Sequence, residues 1–256
     1  MPFPSHSCFS RILLSCCVVI FVLAGPANAR AALRLGFEIG SAFPSIADIR
    51  VPGAGGTFFS FEDDFYAGMS PFFRLQAVWE ITRQHAFFGI IAPLRLSAIG
   101  PAPKALDFDG AVFAEGAPLW LDYKLDTYRL GYLFTLIDVP AFMGKIGLSA
   151  RFRNSAIKLN GSGGKAEYTA DDLLPELCLS LNYFTGGGFT LIFEGEAMRI
   201  KKGYACELFI GGAFDLIGTR YSFRAGWRAM LDKTDSDKHY AQTWANQIVL
   251  GAGMRL

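Results

Sequence analysis

The chain has 256 residues, 24 Lys and Arg against 23 Asp and Glu, and 52% hydrophobic residues. That length suits one domain or one barrel, and the near-neutral charge gives no footprint for a nucleic-acid partner. Its five cysteines form no CxxC pair or Cys/His cluster, so a structural zinc site is unsupported.

Residues 1–29 hold one charge, Arg11, followed by an apolar run from Ile12 to Gly25 and a small-x-small site, Ala27-Asn28-Ala29. The run has 14 residues, short for a transmembrane helix and suited to the h-region of a signal peptide. Cleavage before Arg30 is expected. Leu14-Ser15-Cys16 faintly suggests a lipoprotein cut, but most of the apolar run follows Cys16. The mature chain, residues 30–256, then carries 23 basic and 23 acidic side chains and keeps Cys178 and Cys206.

Beyond Arg30 the recurring signal is a period of two, the strand period. Leu33, Leu35, Phe37 and Ile39 alternate with Arg34, Gly36 and Glu38. Phe73, Leu75, Ala77, Trp79 and Ile81 alternate with Arg74, Gln76 and Glu80, and a weaker segment follows at 87–94. Tyr128, Leu130, Tyr132, Phe134 and Leu136 alternate with Arg129, Gly131 and Thr135. Ile146, Leu148, Ala150 and Phe152 oppose Lys145, Ser149, Arg151 and Arg153. Leu177, Leu179, Leu181 and Tyr183 oppose Glu176, Cys178, Ser180 and Asn182; Phe189, Leu191 and Phe193 oppose Thr190, Glu194 and Glu196. Residues 203–214 are apolar on both parities apart from Glu207. Next, Tyr221, Phe223, Ala225 and Trp227 oppose Arg220, Arg224 and Arg228. The final segment sets Ile248, Leu250, Ala252, Met254 and Leu256 against Gln247, Gly251, Gly253 and Arg255.

These segments predict about ten strands. Short connections at 82–85, 137–142, 184–188 and 215–218 alternate with longer or more polar ones at 41–69, 95–120, 154–171 and 232–240. The short, charged link at 199–202 joins the second group by position. Such alternation fits an up-and-down antiparallel sheet whose ends face different compartments. If residues 215–218 form one turn, Phe214 faces Thr219 and Glu207 faces Gly226, which puts Glu207 diagonal to Arg224 and Arg228. The unbroken apolar face, with Trp79, Phe134, Tyr183, Tyr221 and Trp227 near strand ends, fits lipid contact and interfacial aromatics. Open sheet edges are not viable in lipid, so the sheet must close. The expected fold is an all-β transmembrane barrel over 30–256, with short periplasmic turns and longer extracellular loops.

The signal peptide, the alternating strands and the last strand, Gln-Ile-Val-Leu-Gly-Ala-Gly-Met-Arg-Leu at 247–256, make this chain resemble the small outer-membrane β-barrel proteins of Gram-negative bacteria. Such proteins typically end in an aromatic residue read by the assembly machinery, where this chain has Leu256. The resemblance implies membrane lipid, lipopolysaccharide and that machinery as partners. Ten-stranded relatives include proteases and adhesins, but the paired acidic and Asp-His motifs of those proteases are not recognisable here.

The polar parity assembles a candidate lumen network. Its basic members are Arg34, Arg74, Arg129, Lys145, Arg151, Arg153, Arg220, Arg224, Arg228 and Arg255; its acidic members are Glu38, Glu80, Glu176, Glu194, Glu196 and Glu207. A barrel of this size is barely wider than its side chains, and buried charge must be paired. An internal salt-bridge network is expected, and a narrow anion-preferring path is the alternative. Setting Asn182 opposite Thr190 makes Glu176 face Glu196, with Arg151 or Arg153 as the neutralising cation.

Other residues carry weaker chemistry. His239 shares a loop with Asp232, Asp235, Ser236 and Asp237, which invites a rim hydrolase or a weak cation site, although such a charged loop is usually just solvated. His85 reads as a turn residue. Cys178 and Cys206 lie two strands apart on different parities, too far for a disulfide. The glycine-rich stretches at 51–56 and 161–164 lack the ending of a phosphate loop. The aromatic stretch containing Phe58, Phe59, Phe61, Phe65 and Tyr66 could fold over the mouth, bind a partner or extend the first hairpin. The functional expectation is a non-enzymatic structural or surface-binding protein of the outer membrane with a charge-filled lumen. The alternatives are the narrow channel and a lipid- or peptide-cleaving site at the rim. No cofactor is expected, and no ligand is identified.

Overall fold

A computed structural model describes residues 32–256; the expected signal peptide at 1–29 lies outside them. The elements in chain order are β1 (Ala32–Arg50), β2 (Phe59–Ser60), β3 (Tyr66–Ala67), β4 (Ser70–Glu80), β5 (His85–Pro101), β6 (Leu106–Phe108) and β7 (Ala111–Phe113). They continue with β8 (Pro118–Val139), β9 (Phe142–Gly161), β10 (Gly164–Gly186), β11 (Phe189–Ile200), β12 (Gly203–Asp215), β13 (Tyr221–Asp235) and β14 (Tyr240–Arg255). β1, β4, β5 and β8 to β14 form one antiparallel sheet in sequence order, and β14 pairs back onto β1 from Arg34↔Arg255 to Arg50↔Tyr240. The result is a closed ten-strand barrel, in which closure pairs the backbone groups that lipid would leave unsatisfied.

The period-two pattern fixes the faces. Phe37, Phe73, Leu130, Leu148, Leu177, Phe223 and Leu250 point outward and are exposed, while Glu38, Arg74, Arg129, Ser149, Glu176 and Arg228 point inward and are buried. On β10 the outward apolar run reaches from Tyr183 to Leu173, then Asp171 begins a polar surface. Eleven residues match the length a tilted strand needs to cross hydrocarbon.

Two registers differ from expectation. Phe214 pairs with Phe223 rather than Thr219, and Glu207 pairs with Met230 rather than Gly226. The turn is wider than four residues because it closes on itself: Leu216 N–H donates to Tyr221 O at 3.0 Å, and the Thr219 hydroxyl donates to Leu216 O at 2.8 Å. The displacement is four residues, an even number, so every side chain keeps its face. Between β10 and β11, Asn182 pairs with Ile192, so Cys178 rather than Glu176 lies opposite Glu196. The triglycine turn shifts the ladder with a bulge between Phe184 and Gly186.

The expected long loops are mostly strand. The 154–171 connection is a hairpin of β9 and β10 with Ser162 and Gly163 at its tip. β1 runs on to Arg50, β5 to Pro101 and β13 to Asp235. Above the membrane both faces meet new surroundings, so the polar–apolar alternation that marks a lipid-facing strand stops there, while backbone pairing continues.

The inner face of this upper half is apolar. Leu94, Leu96, Leu119, Leu121, Tyr123, Leu125, Ile157 and Leu159 face inward and are almost wholly buried. They pack on Phe59, Phe61 and Phe65 from the first connection and on Leu106, Phe108 and Phe113 from β6 and β7. The β6–β7 hairpin turns on Asp109 and Gly110, whose φ angles are 50° and 81°. That two-residue Asp-Gly turn has the twist a hairpin needs. These segments fold into the mouth as an apolar plug. Phe59, Phe61 and Phe65 of the aromatic stretch thus fold into the mouth, while Phe58 and Tyr66 stay exposed and β2 and β3 pair with β1 and β5 above the membrane.

Candidate functional site

Beneath the plug lies the ionic cluster. Glu207 on β12 is its hub: it accepts from Arg74 at 2.5 Å, Arg228 at 2.8 Å and Arg151 at 3.3 Å, and it also pairs with Arg129. Glu38 on β1 bridges Arg228 at 2.8 Å and Arg224 at 3.3 Å. Glu176 on β10 lies 3.2 Å from Arg151 and 4.0 Å from Arg129, so those two arginines, not Arg153, are its counter-ions. Arg129 reaches Glu196 at 3.0 Å, and Arg224 reaches Glu194 at 3.0 Å. Eight of the ten wall strands, β1, β4 and β8 to β13, supply these charges and closure brings them to one level, whereas β5 and β14 supply none.

The expected members do not all join. Arg34, Glu80 and Lys145 form a separate group near the periplasmic end, at 3.2 and 3.3 Å, with Arg34 half exposed. Arg220 lies in the β12–β13 turn and is exposed, so it is not a lumen residue. Arg255, at the end of β14, is exposed as well. At Arg220 the alternation continues in sequence after β12 has ended, whereas Arg255 still pairs with Arg34 and is exposed at the last rung of the wall.

Three contributors escaped the sequence reading. Asp232 is buried against Arg151 and Arg153, each at 3.3 Å, and Asp172 bonds Arg153 at 2.5 Å. Asp232 falls in the connection expected at 232–240 and Asp172 just past the one expected at 154–171; their parity with Arg228 and Glu176 is the available signal. Phe209 is fully buried, with the guanidinium carbons of Arg224 and Arg228 at 4.0 and 4.9 Å from its ring centre. Its strand is apolar on both faces, so sequence could not say which way it points. The ring fits because Gly211 and Gly226 lie beneath it: a Cβ on either would come within 2.6 or 2.8 Å of the ring.

At the rim, His239 Nδ1 and the Tyr168 hydroxyl are 2.9 Å apart, joining the β13–β14 loop to β10. Burial lowers the His239 pKa, Asp172 opposes this, and Arg153 reinforces it. The Ser236 hydroxyl bonds the His239 backbone at both N–H and C=O, not its imidazole. This arrangement caps a turn and does not assemble a nucleophile with its base. Among the described residues no cluster of His, Cys, Asp and Glu suits a metal ion. Cys178 and Cys206 are both free thiols. His85, at the start of β5, lies 2.6 Å from the Tyr132 hydroxyl.

No protein-family model matches the sequence, and no curated protein matches it. Solved structures do. The outer membrane protease OmpT from Escherichia coli superposes with a TM-score of 0.58 at 7% identity, over 91% of this chain and 99% of that one. The translocator domain of autotransporter NalP from Neisseria meningitidis gives 0.45 at 12% identity, over 98% and 96%. Ail, the attachment invasion locus protein of Yersinia pestis, gives 0.38 at 12% identity, over 87% and 98%. At such identities the likeness carries the fold alone. This chain is a closed ten-strand β-barrel wrapped in an apolar belt, with the fold of the OmpT outer-membrane barrel.

Proposed function

We propose that this protein is a sealed, non-enzymatic outer-membrane barrel that works through its extracellular surface. The supporting observation is that two different seals lie in series along the axis. The lower seal is the ionic cluster around Glu207, whose arginines Arg129 and Arg151 are fully buried. The upper seal is the apolar plug, whose Phe59, Phe61, Phe108 and Phe113 are fully buried. An ion entering the axis would have to displace charges already held by several partners and then cross a close-packed apolar layer, which costs far more than a solvated path. The plug also braces the tall strands above the membrane, so what the barrel offers outward is a rigid surface. The test is conductance in planar bilayers. The purified barrel is expected to give no steps at any applied voltage; reproducible anion-selective steps would overturn the sealed reading in favour of a narrow channel.

A further inference from the structure

Above the membrane the barrel wall has a gap. β10 pairs with β11 only from Leu177, opposite Ala197, onward, and β11 ends three residues later at Ile200. Residues 164–176 of β10 therefore pair with β9 on one side and with no strand on the other. Along an antiparallel strand, successive residues turn their backbone groups to opposite neighbours. Phe184 N–H donates to Ala141 O on the β9 side at 2.9 Å, so even-numbered residues of β10 serve β9 and odd-numbered ones serve the open edge. Pro175 agrees: its missing N–H falls on the open side. Lys165, Glu167, Thr169, Asp171 and Leu173 are exposed, and their N–H and C=O groups face the gap. Among the described residues no turn or loop backbone bonds them.

This edge borders a cleft of about 470 Å³ between β10, the β11–β12 tip and the β13–β14 tip. Its lining carboxylates are engaged, Asp172 with Arg153 and Asp171 with Asn154, each at 2.5 Å. Lys202, Lys233 and Lys238 also line it. Among the described residues the lysine ion pairs are those of Lys124, Lys145 and Lys158, so these three have no carboxylate partner. Lys233 lies 5.2 Å from the Tyr240 ring. Asp235 and Asp237 of the same loop do not line the cleft. An uncovered strand edge is a template for another chain, and here it faces three lysines against the single carboxylate of Asp171, which no cation pairs, so the cleft keeps an excess of positive charge.

We propose that an extended acidic peptide segment adds to β10 as a strand along residues 165–173, with its carboxylates toward Lys202, Lys233 and Lys238. The edge offers about 30 Å of pairing at ~3.4 Å per residue. This deepens the surface-binding reading by naming the surface and the chemistry of its partner.

The test uses the full barrel in phosphatidylcholine nanodiscs, titrated with a fluorescent decapeptide of alternating Glu and Val. The Lys-Val peptide and two Glu-Val peptides, N-methylated at odd or at even positions, serve as comparisons. The Glu-Val peptide is expected to bind and the Lys-Val peptide not to. One N-methylated series should lose binding and the other keep it, because only one edge of the added strand meets β10. Reversing the three lysines to Glu, or making Thr169→Pro, which removes an edge donor and spares the β9 ladder, should each weaken binding at least tenfold. If Thr169→Pro fails to fold, the N-methylated pair still decides. Absent Glu-Val binding, equal binding of both N-methylated series, or indifference to lysine reversal overturns the proposal. So does lysine-dependent retention of phosphatidylglycerol without peptide binding, which makes the cleft a lipid-headgroup site. A conducting barrel would sink the sealed reading and leave this one standing; a silent barrel that binds no peptide would sink only this one.

Discussion

Glu207 shows what closure does to a single side chain. It is nearly buried and touches four arginines, so neutralising it leaves several cations uncompensated in a dry interior. Glu207→Gln is expected to cost ~3–5 kcal/mol, read as a lower urea midpoint for unfolding from lipid vesicles. Arg34→Ala is the contrast: its ion pair with Glu80 is half exposed, so the loss should stay within ~1 kcal/mol. His239 carries a pH dependence of definite sign. Its folded pKa is depressed by burial, so the neutral ring's contribution is present above the unfolded value and is lost as pH falls through the folded one. Amide exchange in the β13–β14 loop, taken relative to the intrinsic rate at each pH, should therefore rise as the pH falls below about 6.5, the unfolded value. That rise should vanish in His239→Phe, whose ring cannot take the proton; a variant that keeps it would assign the titration elsewhere.

At the scale of the strand, orientation decides everything. Leu148 on β9 is outward and 61% exposed, whereas its neighbour Ser149 is inward and bonded to Glu176 at 3.5 Å. Leu148→Arg should cost ~2–4 kcal/mol near mid-membrane, measured by reversible folding into vesicles of increasing thickness. Ser149→Arg should not follow that thickness dependence, although crowding will make it costly by another route. The plug offers a second test. Phe61 is fully buried among Phe59 and Tyr123, so Phe61→Ala should weaken plug packing by ~3–5 kcal/mol. Proteolysis of the connection at 53–58 should speed up while the barrel keeps its compact gel mobility; unchanged cleavage would mean that the plug is not held by this ring. These strands were legible because the solvent on their two faces differs. The plug was half legible: its aromatics and its Asp-Gly turn stood in the sequence, but nothing local said that they face inward.

For the whole molecule, the barrel divides into a lipid-wrapped lower half with an ionic interior and an upper half with an apolar interior. The division follows the medium outside. Where lipid takes the apolar side chains, polar ones are left to fill the axis and must neutralise one another. Where water surrounds the wall, the apolar ones can turn inward and form an ordinary core. The upper wall is incomplete at β10, because β11 and β12 end short while β8, β9 and β10 continue. This unequal strand length exposes an edge that the lower half cannot tolerate.

What the sequence alone determined is the fold type, the number of strands and the face of almost every lipid-level residue. All three follow from a period of two read against two unlike solvents. Register errors of two and four residues, at β10–β11 and β12–β13, did not disturb the faces because even slips preserve parity. Tertiary structure decided the rest: Arg220 outside the lumen, Asp172 and Asp232 inside it, Phe209 against two arginines, the plug in the mouth and the open edge of β10. Each of these depends on which strands are neighbours and where each stops, and a local pattern carries no information on distances closed only when β14 meets β1.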